Sequence, residues 1–273
     1  MALSGGIFAN VKLNKRINEL DWVDAIYVYP PMGDEGLTLG SSLLLFKELH
    51  TDFEPVKIKN VYLGAEYSES QIDEAAKQII GDNYHSHYFD EKLVTKLILD
   101  GKIIGLYQGK SEYGPRALGN RSIICEATNS ETYSVLNKKL QRNDFMPFAP
   151  AVLDEDVDTL FEVKKSIHTS QFMTMCYNTK PEWQDKLPTV VHPIDKTARI
   201  QIVTKTSNPT FYKILDEYNK LTNVPVLLNT SFNVHEEPIV CHPDEAFKHL
   251  ENNVVDLLII NNFIYRKYEG NIN

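Results

Sequence analysis

Apolar and polar positions alternate along this chain between strand-like and helix-like stretches. Residues 2–3 read as the tail of a strand, Gly5-Gly6 as a tight turn, and 8–20 as a helix. "AIYVYP" (25–30) predicts a strand and "LTLGSSLLLFKELH" (37–50) a helix, with "PMGDEG" joining them. Ser68 and Gln71 have the spacing of a capping box, and Ile72, Ala75, Ala76, Ile79 and Ile80 follow at helical period. Such alternation favours a partly parallel sheet. One strand-helix-strand-helix unit of about 50 residues buries too little surface to close a core alone. The first segment therefore reads as a piece of a larger unit.

The polar stretch "GDNYHSHYFD" (81–90) marks the boundary between two segments, 1–83 and 84–273, with His85 and His87 as linker residues. A second alternating series follows: helix 90–99, strand 102–108, helix 130–141, strand 147–153, short helix 154–161 and strand 171–177. After a proline-bearing loop (180–197), "ARIQIVT" (198–204) alternates as a half-buried strand does. Helix 209–222 starts with Pro209 in its first turn and sets Phe211, Ile214, Leu215, Tyr218 and Leu221 on one face. "VPVLLNT" is a strand, 243–253 a helix, and "VDLLIINNFIYRK" the closing strands. The fold class predicted is α/β with a mixed sheet.

Composition narrows the picture. At 273 residues the chain has room for two ordinary domains, and 42 % hydrophobic with 24 % charged residues is usual for a globular protein. The apolar runs fall short of the roughly 20 residues of a membrane helix, and no basic segment with an apolar core follows Met1. Cys125, Cys176 and Cys241 sit far apart in apolar stretches, as buried thiols of a cytoplasmic protein do. A net charge of −9 with scattered lysines and arginines disfavours a nucleic-acid face, though not a small pocket that gathers arginines.

The candidate chemistry is anion binding. In "GKSEYGPRALGNRSI", Arg116 and Arg121 stand five residues apart in a glycine-rich loop. A guanidinium makes paired, charge-assisted hydrogen bonds to phosphate or carboxylate and stays ionised. Spacing alone fits surface ion pairs equally well. Lys138, Lys139 and Arg142 cluster at a helix end, where the lysines suit the helix dipole. Arg199 opens an apolar strand where a solvated face is not expected. Asn229, Thr230, Ser231 and Asn233 end a buried-looking strand, the usual place of ligand loops in α/β sheets, although the same residues also serve as turn formers. "SGGIFAN" can face backbone amides to a phosphate but lacks the Walker ending. Asp34, between glycines, can ligate a cation or cap the next helix. His85 and His87 have no zinc-like partners, and no Gly-x-Ser-x-Gly elbow is present.

Taken in order, "LSGGIFANVKLNKRI", "PPMGDEGLTLG", "YQGKSEYGPRALGNRSI", "LNKKLQRNDFMPFAPAVL", "DKTARIQIV" and "PVLLNTSFNVHEEPIV" resemble the carboxyl-terminal portion of the O-carbamoyltransferases, which include the enzymes that carbamoylate nodulation factors, tobramycin and cephem antibiotics. The resemblance implies that residues 1–83 are the last part of an actin/hsp70-like (ASKHA) carbamoyl-transfer domain, and 84–273 a YrdC-like domain making carbamoyl-adenylate from carbamoyl phosphate and ATP. It implies that Gly5, Gly6 and Asn10 touch nucleotide and that Asp34 ligates a divalent metal, iron or manganese, at an incomplete transfer site. Arg116, Arg121, Arg142 and Arg199 would surround carbamoyl phosphate and the ATP phosphates, with Asn229, Ser231 and Asn233 completing the pocket and Mg2+ sharing the charge. Many members carry a lysine two residues before the arginine matching Arg142; here that position is Leu140, and Lys139 is the nearest candidate. The family's HxxxH metal pair is absent from the sequence, so the resemblance implies a separate amino-terminal subunit. The competing expectation is a non-catalytic, nucleotide-sensing partner of that subunit. Sugar-kinase-like and tRNA-modifying readings are weakened by the missing ATPase lobe and the acidic charge.

Overall fold

The computed structural model describes residues 1–54, 57–82, 84–142, 147–163 and 165–267. The boundary residue Asn83 and Phe145-Met146 of "FMPFAP" fall outside them.

The first segment contains β1 (Ala2–Leu3), a 3-10 turn (Gly6–Ala9), α1 (Val11–Asn18), β2 (Tyr27–Val28), α2 (Gly36–Leu49) and α3 (Glu69–Ile79). The expected helix over 8–20 is split because the Asn10 side chain accepts from the Lys12 and Leu13 amides and caps α1. β1 and β2 pair in parallel. In α3 the Ser68/Gln71 capping box forms, and Ile72, Ala75 and Ala76 are buried. Burying Ile72 is worth about 1.5–3 kcal/mol.

Next come β3 (Tyr84–Tyr88), α4 (Glu91–Leu99), β4 (Ile104–Tyr107), β5 (Arg121–Glu126), α5 (Ser130–Lys139), β6 (Ala149–Leu153) and α6 (Val157–Leu160). They are followed by β7 (Tyr177–Asn178), α7 (Pro181–Gln184), β8 (Thr197–Ala198), β9 (Gln201–Val203), α8 (Pro209–Thr222), β10 (Val226–Ser231), α9 (Pro243–Glu251), β11 (Leu257–Ile260) and β12 (Phe263–Lys267). Eight strands form one sheet in the order β3-β12-β11-β4-β5-β10-β6-β9. β4/β11 and β6/β9 are parallel and the other neighbours antiparallel, so the sheet is mixed, as the sequence predicts.

Period-2 alternation sends Ile104, Leu106 and Ile124 to one face, with Val94 and Ile98 of α4 and Phe211, Ile214, Leu215 and Tyr218 of α8. Ile123 and Cys125 point to the other face, with Leu136, Phe247 and Leu250, and with Ile72, Val28 and Met32 of the first segment. The result is a helix-sheet-helix layering in which the central strands are buried on both sides. α3 packs on α9, so this helix, read from sequence as part of the first segment, lies on the large sheet's helical layer.

Several sequence expectations are corrected. His85 and His87 lie not in a linker but in β3, hydrogen-bonded to β12 at the sheet edge. The strand expected over 171–177 is a 3-10 helix (Ile167–Phe172) bounded by left-handed Ser166 and Met173, and only Tyr177–Asn178 pairs as a strand. The strand expected over 198–204 breaks, because β8 pairs with β7 while β9 pairs with β6. Leu221 is exposed although it follows the apolar face of α8. No described helix is long and apolar enough to cross a membrane.

Candidate active site

The break between β8 and β9 places Arg199 where β10, the loop before β5 and the end of α5 meet. There Arg116, Arg142, Arg199, Asn229, Ser231 and Asn233 line one cavity of about 270 Å3, together with Met173, Thr230, His235 and Glu236. With Thr230, seven residues singled out in the sequence thus come together.

The cavity wall is fixed by hydrogen bonds. Arg142 donates to Thr230 Oγ1 and, through Nη2, to Ser231 Oγ at 2.9 Å and Asn233 Oδ1 at 2.8 Å. Asn229 donates to Gln201 Oε1 and to the Ala117 carbonyl, while Gln201 Nε2 donates to the Leu118 carbonyl at 2.7 Å. Gln201 therefore ties β10 to the Arg116 loop. Sequence reasoning missed it, because a glutamine in an alternating strand carries no signal of its own.

The Arg116 loop is shaped from behind. Glu112 Oε1 accepts from the amides of Leu118 (2.7 Å), Asn120 (2.8 Å) and Arg121 (3.2 Å), forming a carboxylate-filled nest. Gly114 (φ 125°) lies against Pro31, and a Cβ there would meet the Pro31 nitrogen at 3.3 Å. Gly119 (φ 110°) has no room for a Cβ, which would sit 2.6 Å from Asn208 Nδ2. The close approach that Gly119 permits is that of the Asn208 side chain. Glu112 stands inside the quoted motif, so its carboxylate amid glycines was the signal for the nest.

The structure does not bring Arg121 or Lys139 to the cavity wall. Arg121 is fully buried, donates to the carbonyls of Gln108, Asn120, Gly109 and Ala65, and lies 3.6 Å over the Tyr107 ring. Its fork is engaged by backbone. Lys139 Nζ pairs with Asp256 Oδ1 at 2.8 Å. Gly5, Gly6 and Asn10 lie at the carboxyl end of β1, and the Gly5 amide donates to the Met32 carbonyl at 2.7 Å, which sets the glycine turn beside the loop bearing Asp34. Asp34 is exposed, and no group of three His, Cys, Asp or Glu suited to a metal exists among the described residues. These residues alone do not fit an iron or manganese centre.

The electrostatics of the cavity are those of an anion site. Among the described residues, none of Arg116, Arg142 and Arg199 has a carboxylate within ion-pair distance. Burial lowers all three guanidinium pKa values, and the charges of Arg116 and Arg142 help press Arg199 down to about 9. Arg116 Nε and Asn229 Oδ1 are buried without a partner among the described residues. Unmatched buried charge and orphaned polar atoms destabilise a protein unless a ligand completes them.

A pH dependence follows. A cation whose folded pKa is depressed destabilises the fold below that pKa, and the penalty fades as pH rises through it towards the ordinary value. An anion relieves the same penalty by favouring the charged form. Sulfate, dianionic throughout, should raise the unfolding temperature of the wild type by about 2–5 °C more than that of Arg199→Met at pH 7.5. The difference should shrink as pH rises through about 9. Thermal unfolding between pH 7 and 10 checks it; a difference that is absent at pH 7.5, or unchanged at pH 10, refutes it.

The fold and this cavity define an α/β protein that gathers three arginines on one small cavity. Residues 95–267 match the family model described as carbamoyltransferase C-terminus. The chain belongs to the carbamoyltransferase family through this carboxyl-terminal domain. An uncharacterized protein of Methanocaldococcus jannaschii is 36% identical over 273 residues, covering 98% of this chain and 44% of its own length. Nodulation protein NolNO of Sinorhizobium fredii is 33% identical over 272 residues, covering 98% and 40%. This chain spans half or less of the length of these curated relatives. Full-length HypF in its phosphate- and nucleotide-bound form is similar with a TM-score of 0.47 and 21% identity, over 67% of this chain and 26% of that one.

Proposed function

We propose that this chain is the activating part of a carbamoyltransferase: carbamoyl phosphate, water and ATP give carbamoyl-adenylate, phosphate and pyrophosphate, and the carbamoyl group then passes to an acceptor hydroxyl. The observation that carries this reading is the convergence of Arg116, Arg142 and Arg199, without carboxylate partners among the described residues, on one small cavity. Carbamoyl phosphate and ATP are both strongly anionic, so bringing them together needs several fixed cations. As carbamate attacks the α-phosphorus and pyrophosphate leaves, charge develops on phosphate oxygens facing guanidinium groups already in place. Asn229, Ser231 and Asn233 supply neutral donors and acceptors that orient the carbamoyl amide.

Magnesium would be held through the ATP phosphates, since Glu236 is the one carboxylate among the described residues lining the cavity. The purified chain should catalyse ATP/pyrophosphate exchange that depends on carbamoyl phosphate, and mass spectrometry should detect carbamoyl-AMP. Nucleotide binding without exchange would sink this reading and favour a sensing role.

In this reading residues 1–83 complete a transfer unit with the portion that makes up the rest of the relatives' length. α2 supports it. Of its residues only Gly36 is buried, while Leu37, Leu43, Leu44, Leu45, Phe46 and Leu49 are exposed around the helix. A helix apolar on all sides is a buried element whose neighbour is elsewhere. The remaining part of the M. jannaschii relative, expressed separately, should co-elute with this chain at equal stoichiometry on size exclusion. Leu44→Glu/Phe46→Glu should abolish co-elution; co-elution unaffected by that pair of changes, or none with wild type, would refute α2 as the docking helix.

A further inference from the structure

A second cavity, of about 560 Å3, lies apart from the arginine site, between α4 and the β3/β12 edge of the large sheet. Its cations are Lys96, Lys102, Arg266 and Lys267. His85 and His87 border it from β3, and cross-strand pairing of His85 with Arg266 and of His87 with Ile264 fixes them on the face that α4 covers. Two acids line it, Asp100 and Asp256, and Asp256 is already matched by Lys139 and by the Ile103 amide. Among the described residues, Lys96, Lys102 and Arg266 have no ion pair. This excess of positive charge stands in a chain of net charge −9, so it is not the general character of the surface. The floor is apolar, built from Leu93 and Leu97 of α4 and from Leu257 of β11.

We propose that this groove is a second ligand site, for a nucleoside polyphosphate. The lysines and Arg266 at the rim meet phosphate oxygens, and the leucine floor takes the flat face of the base. A mixed lining of this kind, with a few convergent charged groups over an apolar base, is what small-molecule sites of this size show. The arginine cavity has about half the volume and a polar wall, without the leucine floor of the groove. Asp256 on the groove wall pairs with Lys139 at the end of α5, three residues before Arg142.

Isothermal titration with ADP separates this proposal from the function proposed above. Arg116→Ala/Arg199→Ala should still bind one equivalent of ADP. Lys102→Glu/Arg266→Glu should lose that groove equivalent, weakened at least about tenfold by loss of charge-assisted contacts. The exposed single change Lys96→Glu guards against misfolding and should weaken ADP binding in the arginine-cavity variant in the same direction. Inorganic tripolyphosphate, which cannot use the leucine floor, should bind the groove less tightly than ADP. The proposal is overturned if the arginine-cavity variant binds no ADP, if the groove changes leave its binding untouched, or if tripolyphosphate binds the groove as tightly as ADP.

Discussion

Arg199→Ala is expected to lower carbamoyl-phosphate-dependent ATP/pyrophosphate exchange by about 100-fold or more, the scale of losing one preorganised donor to a developing oxyanion. Its unfolding midpoint should meanwhile stay level or rise. The combination is diagnostic. A structural arginine held by carbonyls or carboxylates destabilises the protein when removed, because its partners are left unmatched. Arg199 has no ion pair among the described residues, is desolvated, and is repelled by Arg116 and Arg142, so its removal relieves the free protein. Stability given up for a charged binding site is the common exchange at functional sites. Arg116→Ala should behave alike. Exchange assays paired with urea unfolding decide the matter: wild-type exchange in either variant removes these residues from the site, and a large drop in the midpoint makes Arg199 a structural residue.

How much of this was legible in the sequence depends on the range of the forces involved. Helix α8 could be read to the residue because its signals are local: Asn208 caps it, Pro209 opens it and left-handed Asn223 ends it. The α3 capping box is local in the same way. The site was legible in its residue types, since arginines among glycines and an Asn-Thr-Ser run at a strand end mark anion chemistry. It was not legible in its geometry. Arg116 and Arg121 share one motif, yet one guanidinium lines the cavity and the other is buried against backbone carbonyls. The difference is made by partners such as the Ala65 carbonyl, 56 residues earlier in the chain. The interruption of 198–204 at Arg199 is likewise invisible to a period-2 pattern, because it arises from two different pairing partners, β7 and β6, claiming the two halves.

Arg121 carries the opposite expectation from Arg199. Arg121→Met keeps much of the apolar stem but removes the guanidinium that lies over the Tyr107 ring and donates to four backbone carbonyls. Two of these carbonyls keep another donor: Asn120 O accepts from the Gln108 amide, and Ala65 O from the Ser111 amide. The carbonyls of Gln108 and Gly109 keep none among the described residues. At about 1–3 kcal/mol for each of the two buried carbonyls left unmatched, the variant should lose about 2–6 kcal/mol, a large part of the stability of an ordinary domain. Arg121→Lys should recover only part, since one ammonium cannot span acceptors on both Gln108 and Gly109 as the planar fork does. Urea unfolding with the m-value held constant measures both. Equal midpoints for wild type and Arg121→Met would show that the carbonyls find water instead, and would reopen Arg121 as a ligand for the anion. A steep loss would establish that the two arginines of this motif divide the labour, with Arg121 and Glu112 holding the backbone in the shape that presents Arg116 to the cavity.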